Sequence, residues 1–259
     1  MNKQPVDIHE KQYNRNLLVL VLIIGSFCTV LNGTLLSTAL PSIMRDFKIS
    51  TATAEWLSTA FLLVNGVMIP ISAWLINRFG SRKMYLSAMS TFFIGTVIAA
   101  IAPNFQTLLA GRIIQGLGVG VTMPLLQTIM LSIFPANKRG AAMGTVGIVI
   151  GLAPAIGPTL SGWVVDNLSW RYLFSIIAPI AGIVVILAAF LVKDVLPTKD
   201  EKIDVFSVAT STIGFGSLLY GFSEAGNKGW TSPEILAFIF VGIIFVILFG
   251  IRQLKMDDP

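Results

Sequence analysis

The chain has 259 residues, 54% of them hydrophobic and only 12% charged, with a formal net charge of +5 and a mean hydropathy of +0.80. A soluble domain carries roughly 25% charged residues, so this composition excludes a water-soluble protein and predicts a polytopic one embedded in a lipid bilayer. The basic residues fall in short loops between apolar runs, as topology signals do, and they imply no nucleic-acid partner. Cys28, the only cysteine, lies inside the first apolar run, so neither a disulfide nor a cysteine metal site is available. His9, the only histidine, lies in the polar N-terminal tail, which excludes a buried histidine proton relay. No catalytic residue, metal site or organic cofactor is expected.

Eight spans of about 18–26 residues are predicted, each near the roughly 20 that cross a bilayer. A tail over 1–16 precedes span 1, residues 17–40. That run follows a basic tail as a signal peptide would, but it is too long and further spans follow, so it reads as an uncleaved first span. It carries Asn32. Span 2, residues 53–76, carries Asn65 and Met68. The sequence AWLINRFGSRKM at 73–84 leads into span 3, residues 84–102; Gly80 permits a tight turn there, and Arg78, Arg82 and Lys83 hold the loop at the membrane face.

Span 4, residues 107–133, holds Arg112, the only basic residue within a span, with Gln115, Met123 and Gln127 on the same run. A buried arginine costs about 2.5–3.5 kcal/mol on insertion scales. Arg112 therefore either faces protein or water or, lying about one turn from the span's end, snorkels to the surface. Span 5, residues 140–165, reads GAAMGTVGIVIGLAPAIGPTLSGW over 140–163. Gly140, Gly144, Gly147 and Gly151 fall at spacings of four, three and four, continued by Pro154, Pro158 and Gly162, with Gly157 beside the second proline. On a helix these share a face that is nearly bare, so another backbone is expected to come close along it, and the two prolines are expected to bend the helix. The contact is either static or a sliding one between two halves of a transporter.

Span 6 covers 170–192. The segment KDVLPTKDEKID at 193–204 has seven charges in twelve residues and is predicted to be a solvated linker without further structure. Spans 7 and 8, residues 205–222 and 234–251, follow, with a tail over 252–259. Span 7 is rich in Ser, Thr and Gly and is expected to pack on other helices. Thirteen of the eighteen Lys and Arg residues lie on the side of the two termini, four on the other, and Arg112 within a span. By the positive-inside rule both termini are cytoplasmic.

An offset of about ninety residues relates parts of the first six spans. Leu35-Leu36-Ser37-Thr38 and Ser42-Ile43 match Leu125-Leu126-Gln127-Thr128 and Ser132-Ile133, and Trp74, Asn77, Phe79 and Arg82 match Trp163, Asp166, Leu168 and Arg171. The repeat unit holds three spans, an odd number, so its two copies face opposite ways across the membrane. Inverted repeats of three plus three spans build a six-helix half of major facilitator transporters.

The motifs agree with that architecture. Residues 73–84 resemble the loop pattern G-x-L-a-D-r-x-G-r-k of the major facilitator superfamily, keeping Leu75, Arg78 and Gly80 but with Ala73 for Gly and Asn77 for the acid that helps latch the cytoplasmic side. Residues 108–120 are similar to the family's span 4 pattern l-x-x-x-R-x-x-q-G-x-g at Leu108, Arg112, Gln115, Gly116 and Gly118. Span 5 resembles g-x-x-x-G-P-x-x-G-G, typical of drug:proton antiporters, at Gly157, Pro158 and Gly162, with Ala153 and Ser161 for glycines. Leu31 to Pro41 and Trp170 to Phe174 are similar to L-D-x-T-I-V-N-V-A-L-P and W-R-W-I-F of the fourteen-span multidrug exporters.

The resemblance implies an all-α polytopic membrane protein of the plasma membrane. A six-helix bundle over 17–192, made of two inverted three-helix repeats, would be joined by two further spans, and a second bundle of the same transporter would follow beyond residue 259. It implies proton-driven efflux of lipophilic or cationic small molecules, with the proton gradient as energy source and Asn32, Asn65, Met68, Arg112, Gln115, Met123 and Gln127 on the substrate or proton pathway. Asn77, Arg78, Gly80 and Arg82 would form the cytoplasmic gate loop, and Gly144, Gly147, Gly151, Pro154, Gly157, Pro158 and Gly162 the antiporter helix face. Asn32 stands where the family has an aspartate, and no acid lies deep in a span, so the residue that carries the proton is expected in the second bundle. Two alternatives stay open: a porter of a metabolite or signalling molecule, and a non-transporting membrane fragment or assembly partner.

Overall fold

The computed structural model describes residues 6–8, 12–199 and 204–256; parts of the two predicted tails and of the linker, with Lys3, Lys11 and Lys202, lie outside them. The described residues form eight helices: α1 (Arg15–Phe47), α2 (Thr51–Phe79), α3 (Ser81–Ala100), α4 (Phe105–Ile133), α5 (Ala136–Asn167), α6 (Arg171–Leu191), α7 (Val205–Lys228) and α8 (Pro233–Leu254). All eight are long and apolar enough to cross a membrane.

Four of them start on a polar cap. Asn14, Ser50, Asn104 and Asp204 each accept a hydrogen bond from a backbone N–H in the first turn, satisfying donors that have no partner inside the helix. α2 stops at Gly80, whose φ of 81° suits a residue without a Cβ. Pro154 and Pro158 both lie inside α5, which continues through them.

The helices outrun the predicted spans at their polar ends. α1 continues past residue 40 to Phe47 because Asp46 has partners there: it accepts from Trp170 Nε1 at 3.0 Å and from Arg171 at 2.7 Å. α7 continues past residue 222 through Glu224, Asn227 and Lys228. Asn227 donates to Glu55 at 2.8 Å, and Lys228 pairs with Glu234 at 2.7 Å. Interruption of the apolar run hid these extensions, and pairing between helices stabilises them.

The packing repeats with the sequence offset. α1 packs on α5 as α4 packs on α2, and α1 packs on α6 as α4 packs on α3. Exchanging α1 with α4, α2 with α5 and α3 with α6 maps one set onto the other. The matched arginines do the same: Arg82, opening α3, donates to the Ala189 carbonyl of α6 at 2.7 Å, while Arg171, opening α6, donates to the Ala102 carbonyl just beyond α3 at 3.0 Å. The first six helices are thus a bundle of two inverted three-helix repeats, clamped between α3 and α6 at both ends.

α7 and α8 form a hairpin against this bundle. α7 docks on α2 through Thr59–Ser223 (2.7 Å) and Glu55–Asn227 (2.8 Å), while α8 packs on α7. Arg252 of α8 donates twice to Asp204, at 2.7 and 3.1 Å; that guanidinium, with Ser207, holds the Asp204 carboxyl well below the usual carboxylate range.

The linker departs from expectation. Residues 193–199 are docked on the α2–α3 turn rather than free in solvent. Asp194 accepts from the Arg82 N–H at 2.9 Å, Val195 N–H donates to Ser81 Oγ at 2.9 Å, and Lys199 N–H donates to the Asn77 carbonyl at 2.9 Å. The segment's charges masked an apolar anchor: Leu196 is buried. The uncapped N-terminus of α3 gave the Asp194 carboxylate a place to bind.

Candidate functional site

The centre of the bundle is set by four glycines on α4. An added Cβ at Gly116 would lie 2.9 Å from the Phe61 carbonyl of α2, at Gly120 2.7 Å from the Asn65 carbonyl, and at Gly111 2.9 Å from the Gly95 carbonyl of α3; at Gly118 it would meet the Ala88 carbonyl. α4 is therefore held backbone to backbone between α2 and α3, an approach only glycine permits.

That approach drives Arg112 into the protein. Its side chain is 1% exposed. Nη1 donates to Asn32 Oδ1 of α1 at 2.8 Å and to Gln115 Oε1 at 2.9 Å, while Nε donates to the Leu57 carbonyl of α2 at 3.3 Å. The guanidinium lies over the Phe61 ring, 4.1 Å from its centroid, where the ring face attracts a cation. Gln115 passes the chain on, donating to Thr96 Oγ1 at 2.9 Å, and Thr96 donates to the Phe92 carbonyl. Snorkelling is thereby overturned: Arg112 points inward because α1 and α2 each supply an acceptor and Gln115 of its own helix a third.

Among the described residues Arg112 has no carboxylate within ion-pair distance, and Asn32 Nδ2 is buried without a partner. The site thus holds a full positive charge and a spare amide donor, balanced only by neutral oxygens and a ring. Such a site favours an acceptor or an anion.

Of the predicted pathway residues, the structure brings Asn32, Arg112 and Gln115 together. Asn65, Met68 and Met123 are half-buried and Gln127 is exposed, and none of these joins the network. In the predicted gate loop, Asn77 and Arg78 are exposed, Gly80 forms the turn and Arg82 ties it to α6. Sequence reasoning missed Asp194, which binds that turn from 112 residues away. It also missed the burial of Glu224, 7% exposed, because Glu224 falls in the polar end of α7 beyond the predicted span.

The α5 stripe needs correction. Within this chain nothing lies within 4 Å of a Cβ built at Gly140, Gly144, Gly147, Gly151 or Gly162, and Pro154 and Pro158 are exposed. The close approach occurs at Gly157 alone, against Thr34 of α1. One turn on, Thr38 and Ser161 share a hydrogen bond, and Ser161 donates to the Leu35 carbonyl at 2.6 Å. α1 covers one edge of α5, so the face carrying the other glycines remains open.

A bundle of two inverted three-helix repeats around a buried polar centre is the architecture of a membrane transporter. The chain belongs to the Major Facilitator Superfamily, whose model matches residues 22–255, a family of transporters rather than enzymes. It is 54% identical over 252 residues to the uncharacterized MFS-type transporter YcnB of Bacillus subtilis, covering 97% of this chain and 53% of that protein. To the lincomycin resistance protein LmrB of the same organism it is 42% identical, covering 96% of this chain and 52% of the relative. The chain therefore spans about half the length of the curated relatives it matches. A crystal structure of the peptide transporter POT (E310Q mutant) superposes with a TM-score of 0.68 at 14% identity, over 92% of this chain and 52% of that one, which bears on the fold alone.

Proposed function

We propose that this chain is the N-terminal part of a proton-coupled exporter of lipophilic or cationic small molecules, working by alternating access in the plasma membrane with both termini cytoplasmic. Residues 17–192 form its first bundle, 193–204 the linker, 205–251 two extra spans and 252–259 a cytoplasmic tail. A second six-helix bundle completes the transport path.

The observation that carries this reading is the open face of α5. Five of its six glycines meet nothing in this chain, which is about half as long as its relatives. A second bundle sliding on that face is the alternating-access geometry, and substrate between the bundles would lie near the bilayer midplane. Export, rather than uptake, is favoured by the relative named for lincomycin resistance and by one named a multidrug transporter.

Arg112 cannot release a proton near neutral pH, and Asn32 cannot bind one, so this half tunes or recognises while the second bundle carries the proton. The test uses everted vesicles containing both halves. An imposed pH gradient should drive uptake of a fluorescent lipophilic cation, and collapsing the gradient should abolish it. Uptake indifferent to the gradient would overturn coupling, and reporter fusions after Lys193 and Lys228 reading the same side would overturn the topology.

A further inference from the structure

The geometry points to a binding site for an anionic phospholipid in the groove between α2 and α3, with Lys83 on its phosphate and one acyl chain along the helices. After the tight turn at Gly80 the two helices diverge, each packing on α4 more than on the other. The gap is a cavity of about 420 Å³, walled by Leu75 and Phe79 of α2 and by Met84 and Ala88 of α3, and floored by Leu117 and Val121 of α4. Lys83, Ser87 and Thr91 also line it. They recur at intervals of four along one face of α3, so the groove runs about 12 Å inward from the lysine. One end carries a charge and the rest is apolar, with two hydroxyl-bearing side chains on the wall. That is the polarity of a lipid whose headgroup sits at the membrane face.

The charge on Lys83 is available. It has no hydrogen-bond or ion-pair partner among the described residues, whereas the neighbouring Arg82 guanidinium is engaged by the Ala189 carbonyl. Lys83 stands in the first turn of α3, whose N-terminal N–H groups are served by the Asp194 carboxylate at the Arg82 N–H, 2.9 Å away, so the ammonium alone supplies the positive charge at the mouth. The unpaired ammonium favours an anion there. A lipophilic cation fits the apolar walls but is repelled at the mouth, which separates this groove from the export substrates proposed above. Basic sites at the membrane face hold anionic headgroups in this way.

The experiment is native mass spectrometry of this 259-residue chain released from bilayers of phosphatidylglycerol and phosphatidylcholine in equal amounts. The wild type should retain one phosphatidylglycerol in preference to phosphatidylcholine. Lys83→Gln should weaken that retention about fivefold, the effect of one basic residue near an anionic surface. Ser87→Phe should fill the groove from its exposed wall and abolish retention, with the unfolding temperature in detergent unchanged. Glycerol phosphate added in excess should fail to displace the lipid, because the acyl chain carries part of the binding. Equal retention of both lipids, or retention unaffected by either substitution, would mean annular lipid only and overturn the site. Displacement by glycerol phosphate would equally overturn it, by reducing it to a headgroup contact.

Discussion

α4 and α5 are the two glycine-rich helices of the bundle, and their glycines do opposite things. α4 has four, each pressed against a neighbouring backbone; α5 has six, and five face open space. Sequence spacing does not separate them, since α5 has the more regular stripe. What separates them is the partner. α4 lies between α2 and α3, whose carbonyls need a flat surface to approach, whereas α5 shows α1 only one edge. A small-residue stripe therefore marks where a backbone can come close, and whether one does is decided by which helices are present.

The sharpest way to break this comparison is to add bulk on α4. Gly118→Leu would set a branched side chain against the Ala88 carbonyl and, at 2.9 Å, the Phe92 N–H of α3. Neither backbone group can rotate away. The penalty should exceed the roughly 1–3 kcal/mol usual for overpacking, and this chain should fail to give a monodisperse peak after detergent extraction.

Gly157→Leu tests the one contact that α5 does make. A Cβ there would lie 3.0 Å from Thr34 Cβ, but Thr34 is a side chain and α5 is free to shift outward. A loss of about 1–3 kcal/mol is expected, read as a lower unfolding temperature of an intact protein. Total misfolding would mean that the α1–α5 seam is as rigid as α4.

Arg112→Met asks what the α4 glycines achieve by driving a charge inward. Asn32 Oδ1, Gln115 Oε1 and the Leu57 carbonyl lose their donor, at about 1–3 kcal/mol for each left unsatisfied. Against that, about 2.5–3.5 kcal/mol is recovered by removing a charge from the hydrocarbon. The spare Asn32 amide can turn to Gln115, so the terms nearly cancel and the net loss should be about 2 kcal/mol or less. In a protein that carries the proposed second bundle, transport should nevertheless be lost, measured as vesicle uptake. Retained transport would make the cluster a packing device.

Much of this was readable in the sequence. Hydropathy and length located all eight helices, and the ninety-residue offset anticipated the pairing of Arg82 with Arg171 at opposite ends of the α3–α6 clamp. Arg112 was singled out as a charge that does not belong in hydrocarbon, and Asn32 and Gln115 by their places in the motifs that the chain resembles. Their mutual contact was not readable, because Asn32 and Arg112 are 80 positions apart and nothing local fixes which face of α1 meets α4. The Asp194 strap was hidden for a different reason: a charged segment looks solvated until the uncapped helix it serves is in view. Gly144, Gly147 and Gly151 misled because their pattern was read as a contact, when it records only the capacity for one.

The smallest structural effect, and the one that bears most on the comparison, is expected from Gly151→Leu. Nothing in this chain lies within 4 Å of the added Cβ, and glycine is the poorer helix former by about 0.8–1.0 kcal/mol relative to alanine. The substitution should leave this chain's unfolding temperature unchanged or slightly raised. In a protein that carries the second bundle, the same leucine would stand where that bundle is proposed to slide. Export should then fall while membrane insertion and expression stay normal. Stability lost in the half-length chain would show a contact on α5 that the structure lacks. Export left intact there would mean that the proposed second bundle does not slide on this face, and α5 would then be open to lipid.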